Sequence, residues 1–403
     1  MSDVTLLPPA AGGDPGDPDS TTASAAASTD TKADPGTVGQ WRMMWRRFRR
    51  HRLAMTAAVV LGMIYFVAIF AEFLAPYSPS TRFDDLQYAP PQLIRPVDTS
   101  DGFAIGLFAH GYEVTTNEET QRRTVSIDES VTAELGFFVK GEEYELFGLI
   151  PWDRHFIGPT DPDNPVFVLG TDRLGRDMLS RLVHGTRVSM SIGLVGVAAS
   201  MVIGILIGGL SGYYGGAVDT AAQRLIEFIM CIPTLPLWMM LAASVPDDWG
   251  VLTKYFAITV ILSVIGWTDL ARVVRGRFLA LREEDFVEAA RLDNCGSLRI
   301  IRRYLLPSFS SHIIAALTLA IPAMILAETA LSFLGLGMQA PAVSWGVLLQ
   351  EAQNVRSLVS APWLLIPGIA VVVAVLALNF VGDGLRDAAD PYNTGGRRWR
   401  KRT

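Results

Sequence analysis

The chain has 403 residues, a formal net charge of -6, 50% hydrophobic and 18% charged residues, and a mean hydropathy of +0.31. Soluble domains carry about 25% charged residues at similar apolar content, so scarce charge with positive hydropathy argues against two or three soluble domains. Two cysteines cannot build a disulfide framework or zinc cluster, and five histidines without a His-x-x-x-His pair make an all-protein metal site improbable. The sequence has no Gly-x-x-x-x-Gly-Lys-Ser/Thr loop to cradle a nucleotide.

Residues 1–40, rich in Ala, Asp, Pro, Ser and Thr, offer too little apolar surface to offset ordering entropy and read as a disordered tail. Arg42, Arg46, Arg47, Arg49, Arg50 and Arg52 then precede an apolar run from Leu53 to Ala75, broken only by Glu72. About 20 apolar residues cross a bilayer, and the arginines put the amino end of this first crossing in the cytoplasm. Residues 41–76 thus form a cytoplasmic segment and its span. Five further crossings are expected near 188–211, 222–245, 254–272, 309–334 and 362–382.

Six crossings place both termini in the cytoplasm, in agreement with the Arg-dense loop 271–307 and the basic tail 383–403. Residues 77–187 then lie outside. Thr124–Ile127 and Glu143–Leu146 alternate polar and apolar, as short strands in a small extracytoplasmic insert would. Thr171–Arg187 reads as an amphipathic segment on the membrane surface. The fold class is an all-α polytopic membrane protein with some β-structure in the insert. Its core, 188–382, holds crossings two to six.

In the second crossing, Gly204, Gly208 and Gly212 recur every four residues, a spacing that lets helix backbones meet closely in lipid. Pro233 and Pro236 predict a kink in the third. Ionisable and amide groups at membrane depth are costly, so they face a cavity or a partner. Glu328 reads equally as lining the translocation path and as a helix–helix bond. Asn379 is expected to bond across helices, Glu227 to be interfacial, and Asp383, Arg386 and Asp387 to form a local ion-pair network. His312 reads as interfacial. Trp41, Trp45, Trp249, Trp363 and Trp399 flank predicted crossings as anchors do.

Residues 284–307, EDFVEAARLDNCGSLRIIRRYLLP, read as two short helices broken near Asp293–Gly296. The first offers Phe286, Ala289 and Ala290 beside Glu288; the second offers Leu298, Ile301 and Leu305. Pro307 ends the segment and starts the next crossing. The residues alone fit a docking surface for a partner's groove and an ordinary basic loop equally well.

The stretch resembles the EAA loop of ABC-importer permeases: Glu-Ala-Ala, three residues, Gly, nine residues, Ile-x-Leu-Pro. Glu288, Ala289, Ala290 and Pro307 fall on that pattern. Asn294 stands at the glycine, where positive φ is expected and Asn is the next most tolerant residue; Gly296 offers added freedom. The segments 169–177 (LGTDRLGRD), 212–216, 328–337 (ETALSFLGLG), 344–346 and 382–387 are similar to the second permease of dipeptide, oligopeptide and nickel importers.

That resemblance implies a type I importer (MetI-like) permease that translocates short peptides and performs no covalent chemistry. It implies a second homologous permease subunit, two ABC ATPase subunits and an extracytoplasmic solute-binding protein, in a prokaryotic inner membrane. ATP and Mg2+ would sit on the ATPases, with no cofactor, metal or nucleic acid on this chain. Glu288 would be the ion-pairing residue of the coupling helices, with Ala289 and Ala290 at the tight contact. The motifs do not separate peptides from nickel chelates, opines or glycans. A membrane scaffold without transport is disfavoured by the loop itself.

Overall fold

The computed structural model describes residues 40–98, 104–116, 123–246 and 248–389. The readings for the tail before residue 40 and for the basic run 397–402 lie outside these residues, as do the side chains of Trp41 and His312. A short helix α1 (Gln40–Phe48) leads into α2 (Arg52–Ile69), where His51 Nδ1 accepts from the Ala54 amide at 3.0 Å and caps an almost wholly apolar helix. One turn, α3 (Ala71–Leu74), follows.

Four antiparallel strands come next in the order β1 (Arg95–Asp98), β2 (Ala104–Thr116), β3 (Arg123–Leu146) and β4 (Ile150–Pro159). Both alternating segments of the sequence fall in β3. Phe147 and Gly148, at φ 57° and 67°, turn the chain between β3 and β4. The sheet is fixed to the end of the first span: His155 Nδ1 lies 2.6 Å from the Ala75 carbonyl, and Glu142 accepts from Ser78 and Thr81.

The remaining helices are α4 (Met178–Tyr214), α5 (Gly216–Cys231), α6 (Thr234–Ala243), α7 (Val251–Leu281), α8 (Asp285–Leu292), α9 (Ser297–Ile300), α10 (Leu306–Ser308), α11 (Ser310–Phe333), α12 (Trp345–Gln350), α13 (Val355–Ser360) and α14 (Ile366–Ala389). Among the described residues, α2, α4, α7, α11 and α14 are each long and apolar enough to cross a membrane. Helices α5 and α6 form a pair bent by 84°, a sixth crossing if counted as one. The break falls at Ile232 and Pro233, and Pro236 sits in the first turn of α6. Pro322, which sequence reading passed over, lies inside α11.

The expectation of a surface segment at 171–187 is overturned. From Met178 onward it belongs to α4, a 37-residue helix about 55 Å long at 1.5 Å per residue, against about 30 Å of hydrocarbon. Asp177 caps it, accepting from the Ser180 amide at 2.7 Å. The glycine spacing faces α7: a Cβ on Gly208 would lie 2.3 Å from the Ala271 carbonyl oxygen, and one on Gly212 2.8 Å from that of Arg275. At the far end of these helices, the Arg275 guanidinium donates to both oxygens of Asp219 on α5, and Ser211 of α4 donates to the same carboxylate.

Candidate functional site

At the end of the bundle remote from the sheet, α8 and α9 form a helical hairpin. The eight residues of α8 place Val287 and Ala290 on one side, and both are buried. They join Ile300 and Leu305 in an apolar cluster with Leu270, Val274 and Phe278 of α7 and with Phe309 and Ile313 at the start of α11. The hairpin is therefore locked to two spans by its inner face. The Arg291 guanidinium adds a cation–π contact 5.7 Å from the Tyr213 ring at the end of α4.

The turn between the two helices is a Schellman closure. The Asn294 amide donates to Arg291 at 2.9 Å and the Cys295 amide to Ala290 at 3.0 Å. Asn294, at the position where such closures need a left-handed residue, has φ 53°. Gly296, by contrast, caps α9 with φ -64° and ψ 149°, a conformation open to any residue, so the freedom expected of it is not used.

The outward face carries Phe286, Glu288, Ala289, Leu292 and Leu298, the last two 88% and 70% exposed. Two sequence assignments change here: Ala290 and Leu305 turn inward, so they support the hairpin from within its own chain and are not free for an external contact. A π-helical turn, Ile301–Leu305, follows α9, and Pro307 lies in α10. The change of direction into α11 occurs at Phe309, φ -123° and ψ 18°, two residues later than the proline implied. Asn294, Gly296, Arg299, Arg302 and Arg303 border an open groove of about 820 Å3.

Near the opposite end, Glu328 of α11 is fully buried. Ser332 donates to it at 2.8 Å and Ser189 of α4 at 3.3 Å, and Ser189 in turn accepts from the Trp345 amide of α12 at 3.1 Å. The carboxyl thus joins α4 and α11 beneath α12. Asn379 is half-buried and makes no side-chain hydrogen bond among the described residues, so the expected cross-helix bond is absent. Asp383, Arg386 and Asp387 are exposed and form no ion pair among the described residues, against expectation. Glu227 is exposed and pairs with Arg224 at 2.8 Å.

A charge node near the sheet escaped sequence reading. Asp172, fully buried, accepts from the Arg176 Nε at 2.6 Å and from Arg181, which is 1% exposed; both arginines also reach Glu351 Oε1, at 3.1 and 3.3 Å. Arg176, Arg181 and Glu351 border a cavity of about 800 Å3. Within the segment read as amphipathic, Arg176 and Arg181 are thus paired and desolvated. The usable signal was Asp172, four residues before Arg176 and nine before Arg181, beside a long apolar run. Next to the node, burial pushes the Asp177 carboxyl up to about 6, aided by the nearby Asp172 charge and opposed by its bonds from Ser180. Trp363, at the start of the last span, donates its indole N–H to the Thr171 carbonyl at 2.9 Å.

This arrangement has the form of a multi-pass membrane protein with a rigidly mounted helical hairpin at one end. The chain belongs to the binding-protein-dependent transport system inner membrane component family, whose model matches residues 203–393, and its residues 39–91 match the N-terminal transmembrane domain of oligopeptide transport permease C. It is 38% identical over 224 residues to the dipeptide transport system permease protein DppC of Bacillus subtilis, covering 55% of this chain and 68% of that one. It is 30% identical over 363 residues to the di/tripeptide transport system permease protein DppC of Pseudomonas aeruginosa, covering 89% and 95%. An inward-facing MetNI methionine ABC transporter structure aligns with 53% of this chain and 98% of its own, at 20% identity and a TM-score of 0.42. The chain is thus a permease subunit of an ABC importer, of the dipeptide and oligopeptide branch.

Proposed function

We propose that this chain is one of two homologous membrane subunits that pass short peptides inward, driven by a pair of ATPase subunits docked on the α8–α9 hairpin. The observation that carries this reading is the hairpin's division of faces. Its inner face is continuous with α7 and α11, while Phe286, Glu288, Ala289 and Leu298 stand free of the chain's own packing. A groove that grips the outer face and closes would move two spans together, a rigid-body switch of access between two packings. Glu288 offers the fixed charge, and Ala289 permits close approach.

ATP and Mg2+ belong to the ATPase partners in this reading, and an extracytoplasmic solute-binding protein delivers the peptide. Both termini and the hairpin lie on the cytoplasmic side of a prokaryotic inner membrane, consistent with the arginines before α2 and the basic residues around α9. Glu328 acts here as a helix-joining group, since its oxygens bond to Ser189 and Ser332.

The test is Glu288→Arg. It is expected to abolish peptide uptake and ATPase co-purification while membrane insertion and yield are retained. Wild-type uptake by this variant would sink the docking assignment. Uptake of a nickel chelate but of no di-, tri- or oligopeptide by the unaltered complex would replace the cargo.

A further inference from the structure

The turn joining β3 and β4 carries apolar side chains where a water-facing sheet would be polar. Leu149 is 84% exposed, and Phe137, Phe138, Phe147, Ile150, Trp152 and Phe156 are exposed with it. Along β4, Ile150, Trp152 and Phe156 share one face by alternation. Singly, exposed apolar residues need no account, but seven on one hairpin form a patch that soluble surfaces avoid.

The position of this patch names what covers it. Phe147 meets Phe70, the residue that ends α2, edge to face, with ring centroids 5.7 Å apart. Phe73 meets both Phe138 and Phe156 at 5.8 Å, and Phe70 meets Phe66 of α2 at 4.7 Å. A chain of rings therefore runs from a spanning helix onto the sheet. On α2, Val59, Met63, Phe66 and Ile69 are exposed and form the lipid-facing stripe of that span. Phe147 also walls a cavity of about 430 Å3 whose other sides are α2, from Tyr65 to Ile69, and α4, from Arg187 to Leu194. Tyr65 lies four residues inside the end of α2, about 6 Å along its axis. The turn thus lies beside the spans, at the level of the last turn of α2.

Its chemistry fits that depth. Phe and Trp concentrate at the membrane–water boundary, where an apolar ring can be buried while the backbone above remains hydrated. At the same level Arg187 donates to both oxygens of Glu72 and to the Ala68 and Ile69 carbonyls, so the charges there are already satisfied by protein. Within 139–159, Lys140 and Arg154 face Glu142, Glu143, Glu145 and Asp153, an acidic balance with no basic surface for anionic headgroups.

We propose that the β3–β4 turn is a membrane anchor: Phe147, Leu149 and Ile150 enter the leaflet on the sheet's side, with Trp152 at the headgroup level, and an acyl chain fills the groove between the turn, α2 and α4. The attachment is apolar and independent of lipid charge. It requires only that α2 and α4 span the bilayer and does not depend on the cargo or on the direction of transport.

The test places a nitroxide through Leu149→Cys or, as a water-side reference in the same hairpin, Glu143→Cys, with Cys231 and Cys295 replaced by Ala. The full chain, isolated with the chains that accompany it, is reconstituted in phosphatidylcholine vesicles. Collision with dissolved oxygen and with a water-soluble nickel chelate is then measured. At position 149 the expected result is a several-fold loss of nickel collisions relative to position 143, with oxygen collisions retained or raised. Addition of phosphatidylglycerol should leave the values unchanged. Nickel access equal to that at position 143 would place the turn in water. Exclusion of both reagents would place it against a partner chain. Either outcome overturns the anchor.

Discussion

Asn294 occupies a backbone position that constrains its side chain independently of any partner. At φ 53° it closes α8, so the conformation costs a β-branched residue about 1–2 kcal/mol more than glycine. Asn294→Gly should leave thermal stability and transport unchanged, whereas Asn294→Val should lower both, measured on the solubilised complex and in uptake assays. Asp177 invites a pH test. Its folded carboxyl sits at about 6 and its unfolded one near 3.9, so between about 4 and 6 the folded state holds a proton that the unfolded chain has lost. Stability from this group is present below about 4, falls as pH rises through that window, and the deficit is complete above about 6. Asp177→Asn keeps a capping oxygen without the charge. Relative to wild type it should gain about 2–3 kcal/mol near pH 7 and almost nothing near pH 4, read from thermal unfolding across the range. Asn294 was legible from sequence because a turn between two amphipathic segments narrows the choice of residue. Asp177 was not, because Tyr77 and Tyr112 of β2, remote in sequence, come near it only in the fold.

Spans are the elements that sequence declares most plainly, because nothing but a long apolar run can satisfy both the bilayer and the backbone. The kink at Pro233 was equally plain. What composition hid was the extension of α4 past the apolar run. Arg181 and Arg187 interrupt the hydropathy, yet each is paired by an acid, Asp172 nine residues back or Glu72 on α3, and the second of these no local window can see. The hairpin's orientation was hidden for a related reason: periodicity placed Ala289 and Ala290 on one surface, but α7 and α11 decide which is covered. The glycine spacing of α4 yields the sharpest element-scale test. A methyl at Gly208 would need the α7 backbone to retreat, so Gly208→Ala should destabilise by about 1–3 kcal/mol, and Gly208→Leu should prevent assembly of the bundle, read from thermal unfolding and protease resistance in detergent. Gly276 has open space beside it, and Gly276→Ala should not destabilise.

For the molecule as a whole, the node of Asp172, Arg176, Arg181 and Glu351 ties the start of α4 to the segment between α12 and α13. Removing one buried partner leaves the other charge uncompensated. Arg181→Met should therefore cost about 3–5 kcal/mol, measured by unfolding, while the double change Arg181→Met with Asp172→Leu should recover part of it. The node and the hairpin sit at opposite ends of the same scaffold, and α7 runs the distance without a break. Its 31 residues make a strut about 46 Å long. A tilt of about 5° imposed where α8 joins it would sweep the other end through about 4 Å, roughly the width of an extended peptide backbone. Helices α5 and α6, bent by 84° at their junction, cannot carry such a thrust end to end. In this molecule leverage is a matter of chain length: shortening α7 by one turn would shrink the stroke in proportion, even with every contact at both ends intact.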